Sequence, residues 1–334
     1  MKIFIKIFTI AFLCFFILFS GLVWSFNYYM KDNHDGSGIV VRAEEEDMDN
    51  LEPEDIDILM QLVDESSRIN FILLGLEGFR SDTMMFISFD PDDKQMDIVS
   101  IPRDTYYPRV GYDGPGKKKF NAVYGDHGAA GVKTAVSDLL LNVPVDHYVT
   151  VTYSGAEAII NSIGGVPVYI SHLMDYEDPY DDPPLKIYFE PGNHLLNGKD
   201  GVKFLRYRKA TPGSGGLSYA DGDLGRIRAQ QEFMKNAIKK TMSLRLPSVV
   251  TTTFRFVRTD IDLQDAIIYA TMAVGMELEN VNMVMLPGVA RYQGGTSYFF
   301  HDLQETRDLL LQIYGYEEEE TEEDVEEEII SIED

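Results

Sequence analysis

The sequence runs to 334 residues with a formal net charge of −26, and 45% of it is hydrophobic. That length is ample for one large domain or two small ones. The acidic balance argues against nucleic acid as a partner, because phosphate binding needs a basic face. The charge is uneven: Asp32 to Glu65 holds 13 acids and one arginine, and Glu317 to Asp334 holds 12 acids and no base. Met1 to Lys31 carries three positive charges and no acid, so the long middle of the chain keeps only −5.

In chain order, Ile7 to Phe26 gives 20 residues without a charge, enough for a transmembrane helix. Lys2 and Lys6 ahead of it place the short N-terminus in the cytoplasm, and Trp24, Tyr28 and Tyr29 suit the outer interface. The alternative is a cleaved signal peptide, but the apolar run is longer than a usual signal core and lacks an A-x-A site. The expected location is therefore the cell membrane, single-pass, with the catalytic domain extracellular. The only cysteine, Cys14, lies in this span, so the exported part has no thiol for a disulfide. The expected organisation is an anchor over 1–31, an acidic stalk over 32–67 with a short helix near Pro53 to Asp64, a core over 68–316 and a disordered acidic tail over 317–334.

Within the core, Ile69 to Leu76 is an unbroken apolar run, the pattern of a buried strand. Thr83 to Phe89 and Gln95 to Ile101 read as a strand pair around the turn Asp90-Pro91-Asp92-Asp93-Lys94. Helices are predicted over Gly128–Leu141, Ala156–Ile163, Gly225–Met242, Leu263–Met276 and Asp302–Tyr314. Strands are predicted over Asp146–Tyr153, Val166–Ile170 and Val281–Leu286. Residues 171–186 are acidic and broken by Pro179, Pro183 and Pro184, and are expected to be irregular. The alternation of strands and helices gives an α/β class with a sheet covered by helices.

The six histidines show no zinc spacing, and neither a G-x-S-x-G nor a P-loop pattern is present. What stands out is arginine at element ends. Arg80 and Asp82 follow the first strand, Arg103 and Asp104 follow the third, and Arg206 and Arg208 alternate with Leu205 and Tyr207 as on one face of a strand. Arg226 and Gln230 are four apart and share a helix face, behind Asp223. The planar arginine fork suits phosphate, and free N–H groups at a helix start add to an anion site. The plainer reading pairs each arginine with a neighbouring aspartate. Asp82 and Glu77 are candidates for Mg²⁺, which takes hard oxygen ligands and keeps substrate phosphates in its shell.

The ordered segments RSDTMMFIS, VSIPRDT, KFNAVY, VPVDHYV, LLNGKDGVKFLRYR and DLGRIRAQQ together resemble the LytR-CpsA-Psr family of cell-wall enzymes, over about Ile69 to Tyr314. The resemblance implies an α/β/α sandwich with a central mixed sheet and an apolar groove for a polyprenyl chain. It implies a Mg²⁺-dependent glycopolymer phosphotransferase, which moves teichoic acid, capsule or a similar polymer from a polyprenyl pyrophosphate carrier onto a peptidoglycan acceptor. Carried over by motif, Arg80, Asp82, Arg103 and Asp104 are implied catalytic residues. Arg206, Arg208, Asp223, Arg226, Gln230 and Lys119 are implied to bind pyrophosphate, and Asp82 with Glu77 the metal. Glu77 stands where the family has Asp, and the link "GF" before Arg80 is shorter than usual. The general base stays open between Asp82, Asp104 and a group on the acceptor side. A lipid-pyrophosphate hydrolase and a non-catalytic glycolipid-binding or regulatory module are the alternatives.

Overall fold

A computed structural model describes residues 53–181, 183–242 and 246–316. The expected membrane span, the first part of the stalk and the acidic tail lie outside them. Among the described residues no helix is long and apolar enough to cross a membrane.

The chain enters through helix α1 (Pro53–Glu65), whose Leu59 is fully buried in the main core. The strands β1 (Ile69–Glu77), β2 (Arg80–Asp90) and β3 (Gln95–Ser100) form an antiparallel meander. Helix α2 (Ala122–Leu139) begins six residues before its expected start, because Gly128, at φ 65, kinks the helix without ending it. Then β4 (His147–Thr152) pairs parallel to β1, and helix α3 (Tyr153–Ser162) follows directly. Two small antiparallel ribbons come next. The outer ribbon joins β5 (Val166–Ile170) to β8 (Gly192–Leu196), and the inner one joins β6 (Met174–Asp178) to β7 (Leu185–Phe189).

The inner ribbon corrects the expectation of irregular structure over 171–186. The prolines that suggested it fall in the turn between β6 and β7, where they interrupt no ladder.

A second correction concerns Arg206, which does not lie on a strand. It ends helix α4 (Gly198–Arg206), started by Asn197, whose side chain accepts from the Asp200 N–H at 3.1 Å. Arg208 lies just beyond. After a glycine-rich loop come α5 (Asp223–Thr241), α6 (Leu246–Thr253), β9 (Val257–Thr259), α7 (Leu263–Met272) and β10 (Val281–Met285). The hairpin β11 (Gly288–Gln293) and β12 (Thr296–His301) and helix α8 (Leu303–Ile313) close the domain.

The main sheet is mixed, in the order β10-β3-β2-β1-β4-β9. Side chains alternate across it. Ile72, Leu74 and Phe86 point into a packed core with helices α1, α2 and α8. Leu73, Met85 and Val149 point to the other side, toward α3, α4 and α5, where a cavity remains.

Candidate active site

The cavity encloses about 540 Å³ between the sheet and helices α3, α4 and α5. Its depth is apolar: Leu73 and Val149 come from the sheet, Ile159 and Ile160 from α3, and Phe233 and Met234 from α5. Its rim, at the carboxyl ends of β1 and β4, is charged. Glu77, Asp82, Arg206, Arg208, Lys209 and Arg226 all line it.

Local backbone geometry brings the two carboxylates together. Gly75 pairs with Thr83 and Leu76 with Ser81, so Asp82 is the extra residue of a β-bulge. A bulge re-aims the side chain it carries, and here Asp82 joins Glu77 at the cavity. The approach is close: a Cβ on Gly75 would lie 2.9 Å from the Thr83 Cβ. Gly78, at φ 58, then makes the short turn back. Glu77 and Asp82 are hydrogen-bonded to each other. The Asp82 bond, then burial, raise the pKa of Glu77. Burial works to raise Asp82 as well, but its bond to Glu77 and the Arg103 charge prevail and hold it below the ordinary value. The two pKa values are thus pushed apart, Glu77 up and Asp82 down.

Three segments deliver the arginines. Arg103, in the loop after β3, donates to Asp82 at 3.0 Å, and its Nε lies 3.4 Å from Asp223. Burial works against its charge, but Asp223 and Asp82 raise its pKa. Arg206 reaches Glu77 at 2.9 Å and Asp181 at 3.0 Å, and its guanidinium lies 4.5 Å from the centre of the Tyr153 ring. Arg226, in the first turn of α5, is only 7% exposed and contacts Asp223 at 2.9 Å, and Arg208 Nε is 3.7 Å from the same carboxylate. Burial lowers the Arg226 pKa, with Arg103 and Arg208 adding repulsion against the pull of Asp223. The buried Nε atoms of Arg103 and Arg226 complete no hydrogen bond among the described residues. A buried donor left without a partner is costly, and two of them beside a cluster of guanidinium groups suit an incoming oxyanion.

Glu77, Asp82, Arg103, Arg206, Arg208, Asp223 and Arg226 therefore form one connected network. Gln230, one turn deeper, lines the cavity and donates to the Leu205 carbonyl at 3.1 Å, tying α5 to α4. Arg80 is exposed at the β1–β2 turn and is not part of the cavity wall. Asp104 and Lys119 pair with each other at 2.8 Å and, like Arg103 and Asp223, do not line the cavity itself. The sequence reading missed Tyr153, whose hydroxyl hydrogen-bonds Glu77 and whose ring packs on Arg206. It also missed Asp181. Tyr153 has no charged neighbour to mark it, and Asp181 is one of several acids in the run Glu177 to Asp182, with nothing in the spacing to single it out.

Among the described residues no group of three or more histidine, cysteine, aspartate or glutamate side chains gathers for a metal. The facing pair Glu77 and Asp82 nevertheless fits Mg²⁺, which often takes only one or two protein carboxylates and completes its shell with water and phosphate oxygens.

Comparisons with known proteins agree with this architecture. The model of the LytR_cpsA_psr family matches residues 28–313. The chain is 26% identical over 263 residues to the polyisoprenyl-teichoic acid--peptidoglycan teichoic acid transferase TagV of Bacillus subtilis, a match covering 74% of this chain and 65% of that protein. It is 31% identical over 239 residues to the transferase TagU of Enterococcus faecalis, covering 69% of this chain and 71% of the relative. The match thus spans slightly less than two thirds of the Bacillus subtilis protein. The crystal structure of Bacillus subtilis TagV superimposes with a TM-score of 0.61 at 26% identity, covering 75% of this chain and 98% of that one. TagT bound to LI-WTA gives 0.56 at 25%, covering 75% and 91%. A charged rim above an apolar cavity, on a mixed sheet shared with these transferases, goes with a sequence match over most of its length: the chain belongs to the LytR-CpsA-Psr family.

Proposed function

We propose that this protein is a phosphotransferase that moves a glycopolymer from a polyprenyl pyrophosphate carrier onto peptidoglycan. One observation carries the reading: an apolar cavity opens directly beneath a cluster of arginines. That is the shape of a lipid bearing a pyrophosphate head. The prenyl chain lies along Leu73, Val149 and Phe233, and its pyrophosphate meets Arg103, Arg206, Arg208 and Arg226. The relatives' names, which specify a polyisoprenyl-linked teichoic acid and peptidoglycan, support a donor and an acceptor of this kind.

In the reaction an acceptor hydroxyl oxygen attacks the sugar-proximal phosphorus. The bond from that phosphorus to the bridging oxygen breaks, and polyprenyl phosphate leaves, taking up the proton that the hydroxyl gives up. Arginines fixed before the donor arrives stabilise charge spreading over the phosphoryl oxygens. Glu77 and Asp82 hold Mg²⁺ in this reading, and the ion would help neutralise the pyrophosphate. Tyr153 and Arg103 hold the two carboxylates in place. Ile7 to Phe26 anchors the protein in the membrane that supplies the donor. Product analysis with purified lipid-linked donor and peptidoglycan tests the proposal. Polymer joined to glycan through phosphate is the expected product. Release to water would make the protein a hydrolase, and binding without turnover a glycolipid-binding module.

A further inference from the structure

The cavity and its arginines take up the donor, and an acceptor must reach the same phosphorus from another side. In phosphoryl transfer the attacking and leaving oxygens stand roughly in line. Polyprenyl phosphate leaves with its chain still in the cavity, so the acceptor hydroxyl comes in from the open side, over the rim. Two exposed aromatic residues flank that rim. Phe79 lies in the β1–β2 turn, two residues past Glu77, and is 75% exposed. Tyr180 lies in the turn between β6 and β7, next to Asp181, and is 96% exposed. One guanidinium nitrogen of Arg206 ties the two turns together, reaching Glu77 at 2.9 Å and Asp181 at 3.0 Å. The turns approach this bridge from different sides. The Phe79 backbone rests on α2, where a Cβ on Gly125 would lie 2.6 Å from its carbonyl oxygen, and α2 packs on the filled side of the sheet. The ribbon that carries Tyr180 instead lines the cavity, through Tyr176 and Leu185.

We propose that Phe79 and Tyr180 form an acceptor subsite, on which pyranose rings of the peptidoglycan glycan strand stack. The inference rests on the phosphotransferase reading above. Single exposed apolar side chains are ordinary. These two differ in place: each adjoins a carboxylate, and the same arginine fixes both carboxylates. Glu77 pairs directly with Arg80, and Gly78 at φ 58 turns the chain at once, so Phe79 is held close to the rim with no longer loop between them. The C–H face of a pyranose packs flat on an aromatic ring and removes apolar area from water, while the hydroxyl edge of the sugar stays solvated. Aromatic side chains lose little conformational entropy when they anchor a partner, having only two rotatable bonds. A glycan laid across both turns passes over the Arg206 bridge, and so over the head of the donor.

The test measures transfer kinetics of the full chain in detergent, with purified lipid-linked donor and a soluble glycan fragment of peptidoglycan as acceptor. Wild type is compared with Phe79→Ala, Tyr180→Ala and the aromatic replacements Phe79→Tyr and Tyr180→Phe. Both rings are exposed, so truncation leaves the fold intact, and equal melting temperatures check this. The acceptor KM should rise about tenfold in each alanine variant, a typical effect of removing one aromatic contact. The kcat and the donor affinity should change much less, and the aromatic replacements should keep the acceptor KM of wild type. An unchanged acceptor KM in both alanine variants would overturn the subsite while leaving the donor reading intact. A loss of donor affinity at constant acceptor KM would overturn it too, by placing the rings against the donor. A wild type that binds donor but transfers nothing to the fragment would overturn the phosphotransferase reading, and the subsite with it.

Discussion

The two sides of the main sheet are built from the same strands and come to opposite ends. Toward α1, α2 and α8, Ile72, Leu74 and Phe86 are fully buried in a continuous core. Toward α3, α4 and α5, their immediate neighbours Leu73 and Met85 face an open volume. A strand covered on both sides reads as one apolar run, so composition does not tell which side is filled. The difference teaches that around Leu73 and Leu74 one side of the sheet is filled, while the other gives up packing to keep a space.

The sharpest way to test that division uses adjacent residues. Leu74→Ala, on the filled side, should destabilise by about 2–5 kcal/mol, the usual range for a buried leucine. Leu73→Ala should lower the melting temperature much less and instead weaken donor binding. Thermal melts and donor titrations of the two variants check this, and equal melting losses would break the division. Arg226→Ala should cut transfer by about 10²–10³-fold, as for loss of one preorganised charge-stabilising donor. Arg80→Ala should change initial rates only a few-fold, because its side chain is exposed away from the cavity wall.

Gly75→Ala crosses the division. Its new Cβ would crowd Thr83 and cost roughly 1–3 kcal/mol as overpacking. Because the bulge beside it aims Asp82, transfer should fall as well. A variant that melts early but turns over normally would uncouple the bulge from the site.

The smallest effect is in pH. Glu77 has a raised folded-state pKa, so its contribution to stability is present below the unfolded value and fades as pH rises through the folded one. Asp82 runs the opposite way: its contribution is present above the unfolded value and fades as pH falls through the lowered folded one. In chelator-treated protein, melts from acid to neutral pH should show wild type losing slightly more stability than Glu77→Gln as pH rises. Parallel curves would remove the raised Glu77 pKa from the account.

Much of the fold, though not which side of the sheet is filled, was legible in the sequence. The apolar run of β1 and the strand pair around the Asp90–Lys94 turn placed β1 to β3, and helical spacing placed α5 within two residues of its start. The "FLRYR" segment misled, because Leu205 and Tyr207 alternate with arginines as in a strand. The stronger signal was upstream, where Asn197 and Asp200 mark a helix start. The β11–β12 hairpin also left a sign, since Gly294-Gly295 is a two-residue turn with positive φ at both positions. The bulge at Asp82 left none: it is a register shift, visible only once β1 and β2 are paired. The same holds for Tyr153, whose role depends on β4 lying beside β1.

One consequence of that pairing concerns reach. The chain joins the sheet at Ile69, and the charged rim begins at Glu77, at the other end of the same strand. The two points stand about 26 Å apart, at roughly 3.3 Å per residue. The head group of the proposed donor is therefore met at the end of β1 farthest from where the chain enters the sheet. A change in the pairing of that one strand would move the two carboxylates and the cavity floor together.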